Sequence, residues 1–206
     1  MEVKSLKEPV LKRPFDIFLS LVGLILSLPI FGIIAAAIKI EDGGPVFFVQ
    51  ERVGKGGRRF RMIKFRTMKY GYKHDIVDME EDSRVTKVGK ILRATAMDEL
   101  PQLINILKGD MSFVGPKPLT FEIEDQEREK FKTIEEIPGY SVRSQVCPGL
   151  TGIAQIFAPK DISRRNKFRY DRIYIKNMSL LLDLKLIFLS FWISLRGKWE
   201  SRERKV

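Results

Sequence analysis

Two adjacent carboxylates, Asp98 and Glu99, lie in the stretch Leu92-Arg93-Ala94-Thr95-Ala96-Met97-Asp98-Glu99-Leu100-Pro101-Gln102-Leu103. Leu100, Leu103, Ile104 and Leu107 recur at helical spacing, which predicts a helix from about Met97 to Lys108. Gly109 stops it. Pro101 places the first turn close by, because proline is tolerated there and not deeper in. Asp98 or Thr95 is the candidate N-cap. The positive end of that helix keeps the two carboxylates ionised and also attracts phosphate. A plain cap is the simpler reading of an acidic first turn. What decides between cap and chemistry is the company the pair keeps.

That company is cationic. A second short helix is expected over Val85 to Arg93, with Lys87, Lys90 and Arg93 along one side and leading into the pair. After Gly109 the run Gly115-Pro116-Lys117-Pro118 is a stiff, extended loop holding a cation. Cations beside a carboxylate pair neutralise a diphosphate that the carboxylates alone would repel. Pro148-Gly149-Leu150-Thr151-Gly152 is a tight turn with a hydroxyl and free backbone amides, suited equally to a phosphate contact and to a purely structural turn.

The totals agree with an anionic partner. The chain has 206 residues and a net charge of +11, with 44% hydrophobic residues, so it suits one folded domain and not a disordered chain. Its charge points to nucleic acid, phospholipid headgroups or a phosphorylated substrate. Cys147 is the single cysteine and His74 the single histidine. This excludes an internal disulfide and a cysteine or histidine metal cluster, and it disfavours a Ser-His-Asp triad.

The elements that position these residues begin with an apolar anchor. Residues 1 to 13 form a tail with Lys4, Lys7, Lys12 and Arg13, and an uncharged run extends from Ile17 to Ile38. That run is long enough to cross a hydrocarbon core. Pro29 falls near its middle with Ser27 before it, so the helix is expected to kink there, the serine hydroxyl serving a freed carbonyl. Both flanks are basic, which keeps both ends on the cytoplasmic side. A helix that enters, bends at Ser27-Leu28-Pro29 and returns satisfies both features; a simple span is the alternative. Val46 to Val49 and Phe60 to Phe65 read as a β-hairpin around Gly54-Lys55-Gly56-Gly57. Its basic-aromatic mix hints at RNA, but a neighbouring lipid surface explains the charge better. Tyr70 to Asp82 reads as a polar loop and Phe121 to Phe131 as a charged, solvated helix. Lys167 to Lys198 reads as helical, with Leu186 to Leu195 lying in the membrane interface or packing beneath the domain.

Taken together, these blocks resemble the small monotopic phosphoglycosyl transferases, a group of bacterial sugar transferases. The resemblance runs through Lys12-Arg13-Pro14-Phe15-Asp16, the proline-broken anchor, Gly44 to Gly54, Lys64-Phe65-Arg66-Thr67-Met68 and Ser83-Arg84-Val85-Thr86. It continues through Asp98 to Leu103, Gly109 to Pro116 and Pro148 to Gln155. It implies an α+β, mostly helical monotopic membrane protein with a re-entrant helix over residues 1–40, a small β-hairpin and interfacial amphipathic helices. The cytoplasmic catalytic domain would span 41–206, at the bacterial inner membrane. The implied reaction moves a sugar phosphate from a UDP-sugar to polyprenol (undecaprenyl) phosphate, releasing UMP. Asp98 matches the nucleophile and Glu99 its partner, the two associated with Mg²⁺. Lys64, Arg66, Arg84, Arg93, Lys117, Thr151 and Gln155 are the implied substrate and phosphate contacts. No nucleic acid is expected, and an oligomer is compatible with the pattern. Three departures stand out: Leu28 separates Ser27 from Pro29, Lys117 replaces an arginine, and Ala158-Pro159-Lys160 stands where relatives carry a Gly-Arg pair.

Overall fold

The computed structural model describes residues 8–71, 84–122, 130–159 and 162–199. His74, Lys160 and most of the expected Phe121–Phe131 helix lie outside the described residues.

Helix α1 runs unbroken from Lys12 to Asp42, 31 residues and about 46 Å at 1.5 Å per residue. It is the one helix among the described residues long and apolar enough to cross a membrane. Its amphipathicity is inverted. Lys12, Asp16, Ser20 and Ser27, with Ile34 and Ile38, form the buried stripe against the rest of the chain. Phe18, Leu21, Ile25, Leu26, Leu28 and Ile33 face outward. Gly23 lets Leu103 close on the helix, since an added Cβ would stand 3.1 Å from its Cδ1. Helical geometry continues across Pro29, where the bend is expected. Ser27 Oγ donates to the Leu24 carbonyl at 3.2 Å. The carbonyl that Pro29 frees is that of Ile25, four residues before it, so the serine serves the neighbouring one.

Strands β1 (Phe47–Val53) and β2 (Arg59–Phe65) form the expected antiparallel hairpin, with Phe48 opposite Lys64 and Arg52 opposite Phe60. Its inward face carries Phe60 and Met62, which pack with Leu103, Ile106 and Met111 of the next elements. Helix α2 (Lys87–Thr95) starts two residues later than expected because Thr86 caps it, its hydroxyl accepting from Gly89 N at 2.8 Å. Helix α3 is Gln102–Lys108.

The remaining described elements are β3 (Ser112–Val114), α4 (Tyr140–Arg143), β4 (Gly149–Thr151), α5 (Ile153–Phe157), α6 (Arg164–Lys176) and α7 (Leu180–Leu195). The glycine-rich turn expected at Pro148–Gly152 is instead strand β4, parallel to β3. A Cβ on Gly149 would meet Gly115 N at 2.0 Å, so only glycine permits this approach. The single long helix expected over Lys167–Lys198 is two, split at Asn177–Ser179, where Ser179 caps α7 through Leu182 N at 3.2 Å.

The last helix packs beneath the domain on one side and leaves apolar side chains exposed on the other. Leu186 and Ile193 are buried in a core with Val114, Val146, Ile156, Tyr174 and Ile175. Leu181, Leu184, Phe188, Phe191, Trp192 and Leu195 are exposed. With the outer face of α1, they give the protein far more exposed apolar surface than a water-surrounded domain carries.

Candidate active site

The two carboxylates do not sit in the first turn of an α-helix. Helix α2 ends at Thr95, whose hydroxyl reaches back to the Ile91 carbonyl at 2.8 Å and so does not cap the next turn. Ala96 then takes the left-handed conformation, φ 56°, an L-residue strain of about 1–2 kcal/mol. Met97–Glu99 form a 3₁₀ turn before α3 begins. Pro101 explains the tight turn: it has no N–H for the Met97 carbonyl, which Leu100 N takes at 3.2 Å instead. The dyad therefore occupies a sharp corner between two helices.

Strand β2 supplies its main partner. Period-2 alternation puts Lys64 on the same inward face as Phe60 and Met62. An inward ammonium in apolar company needs a counter-charge. Lys64 Nζ stands 2.5 Å from Glu99 Oε1 and 3.7 Å from Asp98 Oδ2. Burial alone would lower the Lys64 pKa, but Glu99 and Asp98 outweigh it and raise it. Burial alone would raise that of Glu99, but Lys64 and Lys117 outweigh it and hold the carboxyl below its ordinary range.

Further cations surround the pair. Lys117 is exposed at the rim; its crowded surroundings lower its pKa, with Glu99 opposing and Lys64, Arg52 and Lys167 adding to the effect. Arg52, on the inward face of β1, is lowered to about 10 by burial and by Arg164, with Glu99 opposing. Its Nη2 donates to Gln50 Oε1 at 2.5 Å, while its buried Nε lacks a partner. Gln102, 2% exposed, turns its amide toward Glu99, yet its Nε2 closes no full hydrogen bond. Arg52 Nε and Gln102 Nε2 are thus two buried N–H donors near the pair without a full hydrogen bond of their own.

The supports are equally specific. Asn105, 1% exposed, accepts from Ile63 N at 3.1 Å and donates to the Arg61 carbonyl at 2.7 Å. It acts as a short mock strand that fixes α3 against the free edge of β2. Arg13 donates to the Ile106 and Leu107 carbonyls at 2.6 and 2.8 Å, closing the C-terminal end of α3. The Lys117 loop is held by Arg143, which donates to the Lys117 carbonyl at 2.6 Å and pairs with Asp171 at 3.0 Å.

The expected site residues thus divide. Asp98, Glu99, Lys64 and Lys117 come together. Arg66 does not join them: it forms a two-pronged pair with Asp42 and also donates to the Pro45 and Met68 carbonyls at 2.6 and 2.8 Å. Four of its five N–H groups thus lock the end of α1 in this structure. The Thr151 hydroxyl pairs with that of Ser190 on α7. Gln155 donates to the Gly149 carbonyl at 3.4 Å. Arg93 Nε donates to the Thr67 hydroxyl at 3.0 Å, and the Arg84 carbonyl accepts from Lys69 N at 2.8 Å. Sequence reasoning missed Arg52, Gln102 and Asn105. The available signals were inward phase in β1 for Arg52 and polar residues on the buried stripe of a short apolar helix for the other two.

Comparison with known proteins identifies the family. The profile of the family described as bacterial sugar transferase matches residues 7–197. The chain belongs to the bacterial sugar transferase family. It is 41% identical over 192 residues to a UDP-N-acetylgalactosamine-undecaprenyl-phosphate N-acetylgalactosaminephosphotransferase of Aeromonas hydrophila, covering 91% of this chain and 44% of that one. It is 43% identical over 188 residues to a UDP-glucose:undecaprenyl-phosphate glucose-1-phosphate transferase of Klebsiella pneumoniae, covering 88% and 39%. A shorter relative, the exopolysaccharide production protein ExoY of Sinorhizobium fredii, is 37% identical over 194 residues, covering 86% and 82%. The chain thus spans less than half the length of the first two relatives. For this bacterial sugar transferase, the family expected from the motifs is borne out.

Proposed function

We propose that this chain is a phosphoglycosyl transferase: it moves a sugar 1-phosphate from a UDP-sugar to polyprenol (undecaprenyl) phosphate, through a covalent intermediate on Asp98. The observation that carries the reading is the Asp98–Glu99 corner, held by Lys64 and neighboured by Lys117 and Arg52. Lys64 is held closer by Glu99 than by Asp98, which suits Asp98 to attack and Glu99 to hold a cation.

In the first step an Asp98 carboxylate oxygen bonds to the β-phosphorus. The bond from that phosphorus to the oxygen bridging the α-phosphate breaks, and UMP leaves with the electron pair. In the second, an oxygen of the lipid phosphate attacks the same phosphorus. The Asp98–phosphorus bond breaks, the carboxylate is restored, and a polyprenyl diphosphate sugar leaves. Lys64, Lys117 and Arg52 offset the negative charge at the reacting phosphorus in both steps.

The donor set fits Mg²⁺, which takes one or two carboxylates and completes its shell with substrate phosphate and water. Asp98 and Glu99 would hold it, and among the described residues no cluster of three acidic, histidine or cysteine ligands exists to bind a metal unaided. The ion would neutralise the diphosphate.

We further place α1 as re-entrant in the cytoplasmic leaflet of the inner membrane. Support comes from its two ends: Lys12 pairs with Asp183, and Asp42 with Arg66, so both ends meet the same domain. A cysteine replacing Lys4 is expected to resist impermeant thiol reagents added outside intact cells; its labelling would refute this placement.

The reaction is tested by UMP release from a panel of UDP-sugars in nanodiscs with polyprenol phosphate and Mg²⁺. One sugar is expected to yield UMP, and Asp98→Asn or chelation to abolish it. No UMP from any sugar with folded protein would favour a non-catalytic basic membrane scaffold.

A further inference from the structure

Lys64 stands against the two carboxylates that would hold a metal ion. Its ammonium lies against both carboxylates, 2.5 Å from Glu99 and 3.7 Å from Asp98, and the stem rises from a strand whose neighbours on that face are packed in the core. Two carboxylates and one ammonium leave the corner with a single net negative charge. Arg52 and Lys117 then turn the local sum positive. A divalent cation approaching alone meets repulsion, offers itself to at most two protein ligands, and has to expel a charge already in place.

Resting on the transferase reading above, we propose that Lys64 is the resident counter-cation of the dyad, and that it bars divalent metal until a nucleotide diphosphate arrives. The diphosphate changes three things together. It supplies the missing oxygens, it cancels the surplus positive charge, and it gives the Lys64 ammonium a second anion to move to. The four-carbon stem allows that movement without disturbing β2, whereas an arginine fork would tend to stay on the carboxylates. Metal and nucleotide therefore enter as one unit. Until then the ammonium balances part of the dyad's charge and holds the corner together. The diphosphate oxygens also offer acceptors to the buried Arg52 Nε and Gln102 Nε2.

The test is Mn²⁺ binding monitored by electron paramagnetic resonance on the full chain in nanodiscs, with and without UDP, which needs no turnover. Wild type is expected to bind Mn²⁺ weakly alone and at least about tenfold more tightly with UDP. Lys64→Met is expected to bind Mn²⁺ at least about tenfold more tightly than wild type when no nucleotide is present. Lys64→Arg, which keeps the charge, is expected to stay as weak as wild type. If Lys64→Met gains nothing without nucleotide, or if Lys64→Arg gains as much, the barrier role is overturned. If wild type binds UDP but no Mn²⁺ under either condition, the metal part of the transferase reading falls instead. Asp98→Asn identifies the site: it is expected to weaken the UDP-dependent Mn²⁺ signal. If Lys64→Met does not fold, the wild-type pair of titrations still decides, because equal Mn²⁺ affinity with and without UDP overturns the proposal.

Discussion

Removing the carboxylate of Asp183 should destabilise the fold more than any surface change. Lys12, the first residue of α1, sends its ammonium to Asp183 Oδ2 at 2.6 Å, to the Val114 carbonyl at 3.0 Å and to the Tyr174 hydroxyl at 3.0 Å. The side chains of the pair are 7% and 2% exposed, so water cannot take over for a missing partner. Asp183→Ala takes the ion-pair partner from a buried ammonium and leaves it only the Asp16 carboxylate, with which it makes no direct pair; this costs about 3–5 kcal/mol. For a chain of this length each kcal/mol moves the melting temperature by about 2–4 °C, so a fall of about 6–20 °C is expected. The double variant Lys12→Met/Asp183→Leu removes both charges and keeps similar volume; it should recover most of that loss. Tyr174 survives the exchange because its hydroxyl also donates to the Val114 carbonyl at 3.0 Å. Trp192 and Trp199 are the two tryptophans, one on α7 and one just after it, so thermal unfolding in nanodiscs monitored by their fluorescence reports this corner. A single variant that loses less than about 1 kcal/mol, or a double variant no better than the single, would refute the reasoning.

Three further outcomes are expected. Asn105→Leu strips partners from Ile63 N and the Arg61 carbonyl and should cost about 1–3 kcal/mol in denaturant unfolding, with a parallel fall in activity. Gly149→Ala puts a Cβ 2.0 Å from a backbone nitrogen and should cost about 3 kcal/mol or more, measured as the shift in melting temperature. Glu99 has its carboxyl held below the ordinary range, so its contribution to stability is complete above the unfolded value of about 4.3 and is lost as pH falls through the lower folded one. The gap in melting temperature between wild type and Glu99→Gln should therefore be flat from neutral pH down to about 5 and narrow only below about 4.

The parts of the fold that depend on nearest neighbours are legible in the chain. The hairpin comes from alternation around Gly54 to Gly57, and α1 from its uninterrupted apolar run. Asp98, Glu99 and Lys117 stand out by residue type and local setting, and Lys64 through motif resemblance to a family of fixed chemistry. What escapes are features set by distant partners. Gly149 reads as a turn glycine until β3 is beside it, because a parallel pairing leaves no local signature. Arg66 reads as a phosphate ligand until Asp42, twenty-four residues earlier, takes its fork. Asp183 in an apolar helix reads as an interruption until Lys12 arrives from 171 residues away. The 3₁₀ corner escapes for a local reason: Pro101 reads as a residue tolerated in a first turn, while its missing N–H is what tightens the turn before it.

These distant partners share one owner. Lys12 holds the Val114 carbonyl and Asp16 accepts from Phe113 N at 3.0 Å, so α1 fixes β3, from which the Lys117 loop departs. Arg13 closes the end of α3, whose other end adjoins the dyad. Glu41 accepts from Lys87 N and Val88 N at 2.6 and 3.0 Å, capping α2, which delivers the chain to Ala96. The segments that bring Asp98, Glu99 and Lys117 to the corner are thus tied to polar residues at one or other end of the same helix. A membrane anchor that served only for attachment would need none of these bonds, and a flexible tether would serve it better. Their presence makes α1 the frame of the site: the helix whose outward face is built for lipid also sets where Asp98, Glu99 and Lys117 stand. A site assembled in this way keeps a fixed position relative to the apolar face of α1, which is what the proposed reaction between a soluble nucleotide and a lipid-borne phosphate would use.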